Sequence, residues 1–406
     1  MIKRIAYFSS SYPALTTTFV QREIDYLRTR NVDVTVFALK RPPDLYKSPE
    51  RLAKSKLAIY ARPDNILLGV ALQLFYLLLK PIKYLRCIRL ILKQAMHHPL
   101  PIVIRLFSHL LVATIFSYKL KKKRIKHIHA HFSTASTMAL FCHYLIDISF
   151  SMAAHASGDI YVNPLMLNEK LTCASVVIAE NEYNRAYINL VTNYKFEDKI
   201  KVVYNGVEVP PKVTYVNVQR KSAKLISVGG LKYFKGFPTL IHALSLLRDA
   251  GYGFHCDIVG NGPQRQVLEQ LISRTGMNDR ITLQGSMENN DVLLAMAQSD
   301  IFILASEIYL DGKRDGIPTV CTEAMSLGVP VVSTYISGIP ELIENGKSGF
   351  LVPEKNPEQL ASAIKKLIDD PDFRSEIAKN GYNRVREIFN QEITTKQLLS
   401  ILSNYM

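Results

Sequence analysis

Two carboxylates enclose a turn in the C-terminal half of the chain. Asp315 and Glu323 have seven residues between them, and Pro318 suits the first turn of a helix that contains Glu323. The free N–H groups at the start of that helix would attract a phosphate. Carboxylates on either side could accept hydrogen bonds from sugar hydroxyls. The pattern predicts a site for a nucleotide diphosphate sugar; an ordinary strand–loop–helix turn, in which the two acids act as helix caps, is the alternative.

Histidines are the second group of side chains that could do chemistry. His127, His129 and His131 alternate along the chain, so they would share one face of a strand. No acidic residue or cysteine accompanies them nearby in the sequence, which disfavours a metal site, and no metal is expected. His155 stands four residues before Asp159. By itself such a histidine is more typical of a buried position with satisfied hydrogen bonds.

An alternation of strand-like and helix-like segments must position these residues. Strand-like runs recur through residues 1–207 and again through 223–385, which indicates parallel α/β architecture. Residues 208–222 show no clear period and predict a linker. The sequence therefore predicts two Rossmann-like, doubly wound parallel-sheet domains that face a ligand cleft. A last helix, within 386–406, is expected to return to the N-terminal domain.

The segment from residue 65 to 125 departs from this alternation. Ile66–Leu79 is almost wholly apolar but has only 14 residues, and Arg105 and His109 interrupt the later apolar run. A membrane-spanning helix needs about 20 apolar residues. Apolar helices flanked by lysines and arginines instead suit the surface of an anionic membrane. The alternative is that these helices only cover the N-terminal sheet.

The charge is concentrated in the same region. The net charge of the chain is +15, and residues 51–150 hold 16 basic and 2 acidic side chains. The apolar residues between these charges are mainly aliphatic and show no aromatic stacking pattern, which argues against nucleic acid. The five cysteines are scattered, and the N-terminal apolar stretch is too short for a signal peptide; both features predict that the protein is located in the cytosol. Together with the basic, apolar helices they predict a peripheral position on the inner face of the cytoplasmic membrane.

The carboxylate segment resembles the acid-x7-acid motif of retaining glycosyltransferases of family four, which have the two-domain GT-B fold. The resemblance extends through Val331–Thr334, Ser337–Glu341 and Asn345–Pro353, and covers nearly the whole chain. It is greatest to bacterial enzymes that assemble exopolysaccharides such as colanic acid. The resemblance implies transfer of a hexose, with retention, from a nucleotide-sugar co-substrate to a saccharide or lipid-linked saccharide, without a cofactor or metal.

The same resemblance assigns roles to individual residues. Asp315 would contact the donor sugar and Glu323 the ribose, while Lys235 would neutralise the departing diphosphate. His155 would lie near the reacting carbon. The remaining donor-side candidates are Gly230, Lys232, Gly262, Gly316, Ile317, Pro318 and Thr319, and the acceptor-side candidates are Pro13, Thr17 and Asp159.

Three positions depart from the family pattern. Asp315 replaces a glutamate and is one methylene shorter, and Gly230 stands where an arginine is usual. Thr17 replaces a glutamate in the first loop, where capping of a helix by Thr16 or Thr17 is the simpler interpretation. These departures keep two alternatives open. One is a GT-B-shaped binding or scaffold subunit without activity, and the other is a glycosidase that uses Asp315 and Glu323 as its two acids.

Overall fold

The computed structural model describes residues 3–14, 17–42, 48–61, 66–156, 159–162, 164–213 and 221–406. The chain divides into two compact units. The first comprises Met1–Glu180, Asn184–Val203 and Thr395–Met406, and the second comprises Asn181–Tyr183 and Tyr204–Thr394. Of the predicted linker at 208–222, residues 214–220 lie outside the described part of the chain.

The elements of the N-terminal half alternate between strands and helices. They are β1 (Lys3–Ser11), α1 (Thr18–Thr29), β2 (Val32–Lys40), α2 (Pro49–Lys56), β3 (Ala58–Tyr60), α3 (Ile66–Leu79), α4 (Pro81–Ala95), α5 (Leu100–Lys122), β4 (His127–His131), α6 (Phe132–Ile146), β5 (Ser149–Ala154), α7 (Leu167–Cys173), β6 (Val176–Ala179), α8 (Glu182–Val191) and β7 (Ile200–Val202).

The C-terminal half repeats the alternation and ends in three helices. Its elements are β8 (Ala223–Val228), α9 (Phe237–Asp249), β9 (Phe254–Val259), α10 (Arg265–Arg274), β10 (Ile281–Gly285), α11 (Asn289–Ala297), β11 (Ile301–Leu304), α12 (Thr319–Ser326), β12 (Val331–Thr334), α13 (Ile339–Leu342), β13 (Phe350–Val352), α14 (Pro357–Asp369), α15 (Pro371–Ile388) and α16 (Gln391–Leu402).

Each half holds a parallel sheet. Over the described residues the strand orders are β3-β2-β1-β4-β5-β6-β7 and β10-β9-β8-β11-β12-β13. The direction of winding reverses between β1 and β4 in one sheet and between β8 and β11 in the other. Loops that leave the carboxyl ends of two such strands diverge and open a crevice, which is where ligands bind in open α/β sheets. The two predicted Rossmann-like domains are therefore confirmed.

Strand β3 lies at the edge of the N-terminal sheet and has no clear signal in the sequence. It has only three residues, which pair with Val36, Phe37 and Ala38 of β2 at the edge of the sheet. So short a run carries no measurable period. Its place in the sheet depends on pairing with β2 and not on a local sequence signal.

Three consecutive helices, α3 to α5, lie in the segment near residues 65–125 that departs from the alternation of strands and helices. Helix α5 buries Leu106, Leu110, Phe116 and Leu120 in the N-terminal core. It runs through Arg105 without a break, and among the described residues it is the one helix long and apolar enough to cross a membrane, with half of its apolar window buried. Core helices of soluble proteins share these properties. Helices α3 and α4, taken together, are also long and apolar enough to cross a membrane, but the chain bends by 114° between them.

The last helix, α16, passes from one unit to the other. Residues from Thr395 onward belong to the first unit, where Leu398 and Leu402 are buried beside Tyr7 and Phe19. This helix therefore covers the same face of the N-terminal sheet as α1.

Candidate functional site

The loop after β8 is held close to the end of β11 by a glycine. Gly236 has a φ of +64°, and a Cβ there would lie 1.7 Å from the carbonyl oxygen of Ala305. Only glycine allows this approach. The turn just before it, Tyr233–Lys235, is thereby placed beside the residues that follow β11.

An ion pair joins the two loops at this point. The Nζ of Lys235 donates to Oδ1 of Asp315 over 2.8 Å, and the two side chains are each 13% exposed. The hydroxyl of Ser306 donates to Oδ2 of the same carboxylate over 2.6 Å. Both predicted residues thus lie together at the switch point of the C-terminal sheet. Ser306 was missed by the sequence analysis, although its position two residues after a buried strand is a usable signal.

Helix α12 begins immediately after this pair. Pro318 is its N-cap, with φ −64° and ψ 118°, and the side chain of this residue makes no capping hydrogen bond. The first N–H groups of the helix are available to an anion. Glu323 lies one turn inside and is 4% exposed. Gly316 and Pro318 are buried, whereas Ile317 and Thr319 are half-buried.

A cysteine lies within α12, close to these acids. Burial raises the pKa of Cys321 to about 12; the charge of Lys235 lowers it and that of Asp315 raises it. The thiol therefore stays protonated near neutral pH. A buried, protonated thiol is a poor nucleophile, so covalent catalysis by Cys321 does not fit this site.

Gly230 and Lys232, both in the loop after β8, have different surroundings. A Cβ at Gly230 would meet its nearest atom, on Lys232, at 3.6 Å, so a side chain could be accommodated there. Lys232 is exposed, and its ammonium lies 5.7 Å from the ring centre of Phe234. The ammonium of Lys235 lies 5.8 Å from the same ring. Two cations therefore flank one aromatic ring in this loop.

The glycine turn after β9 packs against the same loop. A Cβ at Gly262 would lie 2.6 Å from the carbonyl oxygen of Leu231, and one at Gly260 would lie 1.9 Å from that of Gly229. The N–H of Leu231 donates to the carbonyl of Asn261 over 3.0 Å. Gly262 thus fixes the shape of the β8 loop, and no contact with the Lys235–Asp315 pair is seen among the described residues.

In the N-terminal unit, His155 and Asp159 form one hydrogen-bonded group. The carboxylate of Asp159 accepts from the backbone N–H of His155 over 3.1 Å and from that of Ser133 over 2.6 Å. Nδ1 of His155 lies 3.1 Å from Glu180. Burial alone would lower the pKa of His155, but the hydrogen bond and charge of Glu180 and the charge of Asp159 raise it overall. Glu180 was missed by the sequence analysis, because it is far from His155 in the chain.

Asp159 is also close to a buried lysine. Lys170 donates to the carbonyl and the hydroxyl of Ser133, over 2.9 and 3.0 Å. Burial lowers the pKa of Lys170 to about 8, and the charge of Asp159 partly offsets this. Burial raises the pKa of Asp159, against the charge of His155. The negative charge of Asp159 therefore offsets the positive charges of Lys170 and His155 within this buried group.

The first loop reaches this group only indirectly. Pro13 is buried, and Thr17 is the N-cap of α1 but makes no side-chain capping hydrogen bond. Capping through the Thr17 hydroxyl, the simpler interpretation above, is therefore not observed; Thr16 lies outside the described residues. Within the described residues, Phe19 makes the connection, with its ring centre 5.1 Å from that of His155.

The three alternating histidines do share one face of β4, and all are buried. Both ring nitrogens of His127 are bonded, to Ser149 and Ser151. His129 and His131 instead lie beside Glu23 of α1, an acidic neighbour about a hundred residues away that the sequence analysis did not find.

This chain is similar to one protein family over part of its length and to solved structures over nearly all of it. Residues 215–384 match the family described as "Glycosyl transferases group 1". The chain is 36% identical over 208 residues to a putative colanic acid biosynthesis glycosyltransferase, WcaL, of Salmonella typhimurium. It is 33% identical over 210 residues to the amylovoran biosynthesis glycosyltransferase AmsK of Erwinia amylovora. Each match covers 50% of this chain and 51% of the relative, so the chain spans about half the length of these curated relatives.

Solved structures extend the likeness of fold to nearly the whole chain. Anabaena HepE in complex with UDP-glucose superposes with a TM-score of 0.73 at 18% identity, over 99% of both chains. A glycosyltransferase from Rickettsia africae gives a TM-score of 0.71 at 19% identity, over 99% of this chain and 98% of the other. The fold of this chain is therefore the one that these two solved structures share.

Proposed function

We propose that the chain is a glycosyltransferase of cell-surface polysaccharide biosynthesis, because residues 215–384 match the family described as "Glycosyl transferases group 1". It transfers a hexose from a nucleotide-sugar to a saccharide acceptor. The observation that carries the proposal is the Lys235–Asp315 pair beside the free start of α12, at the switch point of the C-terminal sheet. The relatives named for exopolysaccharide assembly support the biological setting.

The geometry suggests how the donor would be held. The diphosphate binds the N–H groups at the start of α12 and takes the ammonium of Lys235 away from Asp315. The freed Oδ1 of Asp315 then accepts from a hydroxyl of the donor sugar, while Ser306 keeps Oδ2 in place. Glu323 accepts from the ribose. With a lysine and a helix terminus to neutralise the leaving diphosphate, the donor site needs no metal ion.

We propose transfer with retention of configuration at the sugar's anomeric carbon. The support is the pairing of Asp315 and Glu323, which follows the pattern of the retaining family. The test is proton NMR of the first product formed. Retention predicts that an α-linked donor gives an α-linked product; a β-linked first product would exclude it.

A screen of nucleotides tests the donor site without knowledge of the acceptor. We expect uridine, guanosine or adenosine diphosphate, or one of their sugars, to raise the melting temperature of the chain, with one nucleotide preferred and chelator without effect on the shift. Glu323→Gln should weaken this binding by about tenfold, because one strong hydrogen bond to the ribose is lost. If no nucleotide changes the melting temperature, the proposed donor site is wrong.

The acceptor is proposed to be a lipid-linked saccharide at the inner face of the cytoplasmic membrane. Helices α3 and α4 and the start of α5 expose an unusual number of large apolar side chains: Leu67, Val70, Leu74, Phe75, Leu78, Leu79, Ile82, Leu85, Leu92, Met96, Leu100 and Ile104. We call this set the apolar helix surface. Cations of the same region, such as Arg89 and Lys93, are also exposed. Apolar side chains rimmed by cations match an anionic bilayer in both respects.

Vesicle sedimentation tests the apolar helix surface. Leu78 and Ile82 are 73% and 78% exposed, so their replacement by aspartate should not disturb the fold. We expect each change to weaken binding to vesicles with about 30% anionic lipid by about tenfold or more, since each side chain loses roughly 1.5–3 kcal/mol of apolar burial. Leu294→Asp, at a 59% exposed leucine of the C-terminal unit, is the control. Equal binding by all three variants would contradict membrane docking through this surface.

A further inference from the structure

Three side chains meet on one face of the N-terminal sheet with ligand atoms turned toward one another. They are Glu23 of α1 and His129 and His131 of β4, and their ligand atoms all lie within 4.8 Å of each other. We propose that they bind a divalent transition-metal ion, for which Zn²⁺ is the best match. The inference concerns binding of an ion, so it does not depend on the proposed sugar transfer.

The two imidazoles each keep one nitrogen that makes no hydrogen bond. Nε2 of His129 and Nε2 of His131 are buried without a hydrogen-bond partner among the described residues, and the side chains are 0% and 1% exposed. Nε2 of His131 lies 3.2 Å from Oε2 of Glu23 but without the geometry of a hydrogen bond. A buried imidazole nitrogen that makes no hydrogen bond destabilises the fold, because it has lost its hydration and has gained no partner. An ion would satisfy both lone pairs at once.

The other ring nitrogens are already engaged in the way that metal ligands require. Nδ1 of His129 lies 2.8 Å from the hydroxyl of Ser151, and Nδ1 of His131 lies 3.2 Å from Nε2 of His155. Nδ1 of His155 in turn bonds Glu180. When each Nδ1 carries the proton, both Nε2 atoms have lone pairs for an ion. Metal-bound histidines almost always donate their second nitrogen in this manner.

The chemistry of the three ligands indicates the class of ion. Two imidazoles and one carboxylate suit zinc and its neighbours in the first transition row, whereas magnesium and calcium prefer oxygen ligands. The hydroxyl of Tyr7 donates to Glu23 over 3.4 Å and so supports the carboxylate.

The site differs from the expectation drawn from the sequence. There, the absence of an acid near the three histidines disfavoured a metal; the acid is Glu23, supplied by α1 packing on the sheet. His127, the third histidine, is excluded because Ser149 and Ser151 occupy both of its nitrogens. A bound ion would fix the ring of His131 and, through it, the orientation of His155. His131 thus becomes a positioning residue for His155.

Calorimetric titration with Zn²⁺ of full-length protein, freed of metal by chelator and dialysis, tests the proposal. We expect one ion per chain, a higher melting temperature with Zn²⁺, and, with Co²⁺, visible absorption bands of a nitrogen- and oxygen-ligated ion. His129→Ala, His131→Ala and Glu23→Gln should each weaken Zn²⁺ binding by about a hundredfold or more. Glu180→Gln, which acts through His155 and His131, should weaken it by about tenfold.

The matched control is His109→Ala. His109 is a buried histidine of α5, also with an unpartnered ring nitrogen, but it belongs to no group of ligands among the described residues. This variant should bind one Zn²⁺ with unchanged affinity. Glu23→Gln preserves the shape of the side chain, so it should fold even if the histidine variants do not. The proposal is overturned if metal-free protein binds no Zn²⁺, or if Glu23→Gln binds it as tightly as the wild type.

Discussion

Replacing Lys235 with alanine is expected to slow sugar transfer by about tenfold to a hundredfold or more. The leaving diphosphate gains negative charge in the transition state, and the ammonium of Lys235, whose side chain is 13% exposed, is placed to meet it. A charge-assisted hydrogen bond contributes roughly 1.5–3 kcal/mol, which corresponds to that range of rates. The loss should appear mainly in kcat, measured as release of nucleoside diphosphate at saturating donor.

Lys232→Ala is the matched control for this experiment. Lys232 lies in the same loop and near the same phenylalanine ring, but it is exposed and no contact with Asp315 is seen in the described part of the chain. Its loss should change the rate by less than about threefold, because solvent screens an exposed charge. Equal losses in both variants would show that the loop supplies only a general positive field. A Lys235→Ala enzyme with wild-type kcat would contradict the assigned role.

Replacing Gly236 with alanine is expected to destabilise the C-terminal unit by about 2–4 kcal/mol. The added Cβ would lie 1.7 Å from the carbonyl oxygen of Ala305, at a φ of +64° that side chains rarely adopt. The loop must then move away from the end of β11, which separates Lys235 from Asp315. Urea unfolding should show a lower midpoint, and nucleotide binding should weaken in the variant that remains folded.

Gly230→Ala provides the comparison, because its Cβ would meet no atom closer than 3.6 Å and its φ is not in the left-handed region. This change should alter the free energy of unfolding by less than about 0.5 kcal/mol. If Gly236→Ala is as stable as Gly230→Ala, the close approach of the β8 loop to β11 is not needed, and the loop does not position Lys235.

The proximity of Lys235 and Asp315 could be predicted from the sequence because the signals around them are local. The spacing of Asp315, Pro318 and Glu323 lies within one loop and one helix, and Lys235 follows a strand in a glycine-rich turn. Parallel sheet topology then requires the loops after β8 and β11 to meet. Only the partner Ser306 was missed, since a serine after a strand is common and its hydrogen bond depends on the path of the loop that carries Asp315.

The N-terminal unit was less predictable because its contacts join distant parts of the chain. Glu23 and Glu180 approach His131 and His155 only after α1 has packed on the sheet and β6 has paired with β5. Neither acid stands near a histidine in the sequence. The short strand β3 has the same explanation, since pairing with β2 defines it. By contrast, the apolar and basic character of α3 to α5 was evident in the sequence from composition alone.

A transfer assay tests the central claim most directly. The chain is incubated with its preferred nucleotide-sugar and a lipid-linked saccharide in anionic vesicles, and sugar in the lipid fraction is measured together with free nucleoside diphosphate. The account predicts that both accumulate in equal amounts and that Lys235→Ala suppresses them together. Tight nucleotide binding without turnover would instead indicate a scaffold subunit. Release of free sugar from the saccharide without any nucleotide would indicate a glycosidase, and either result would contradict the account.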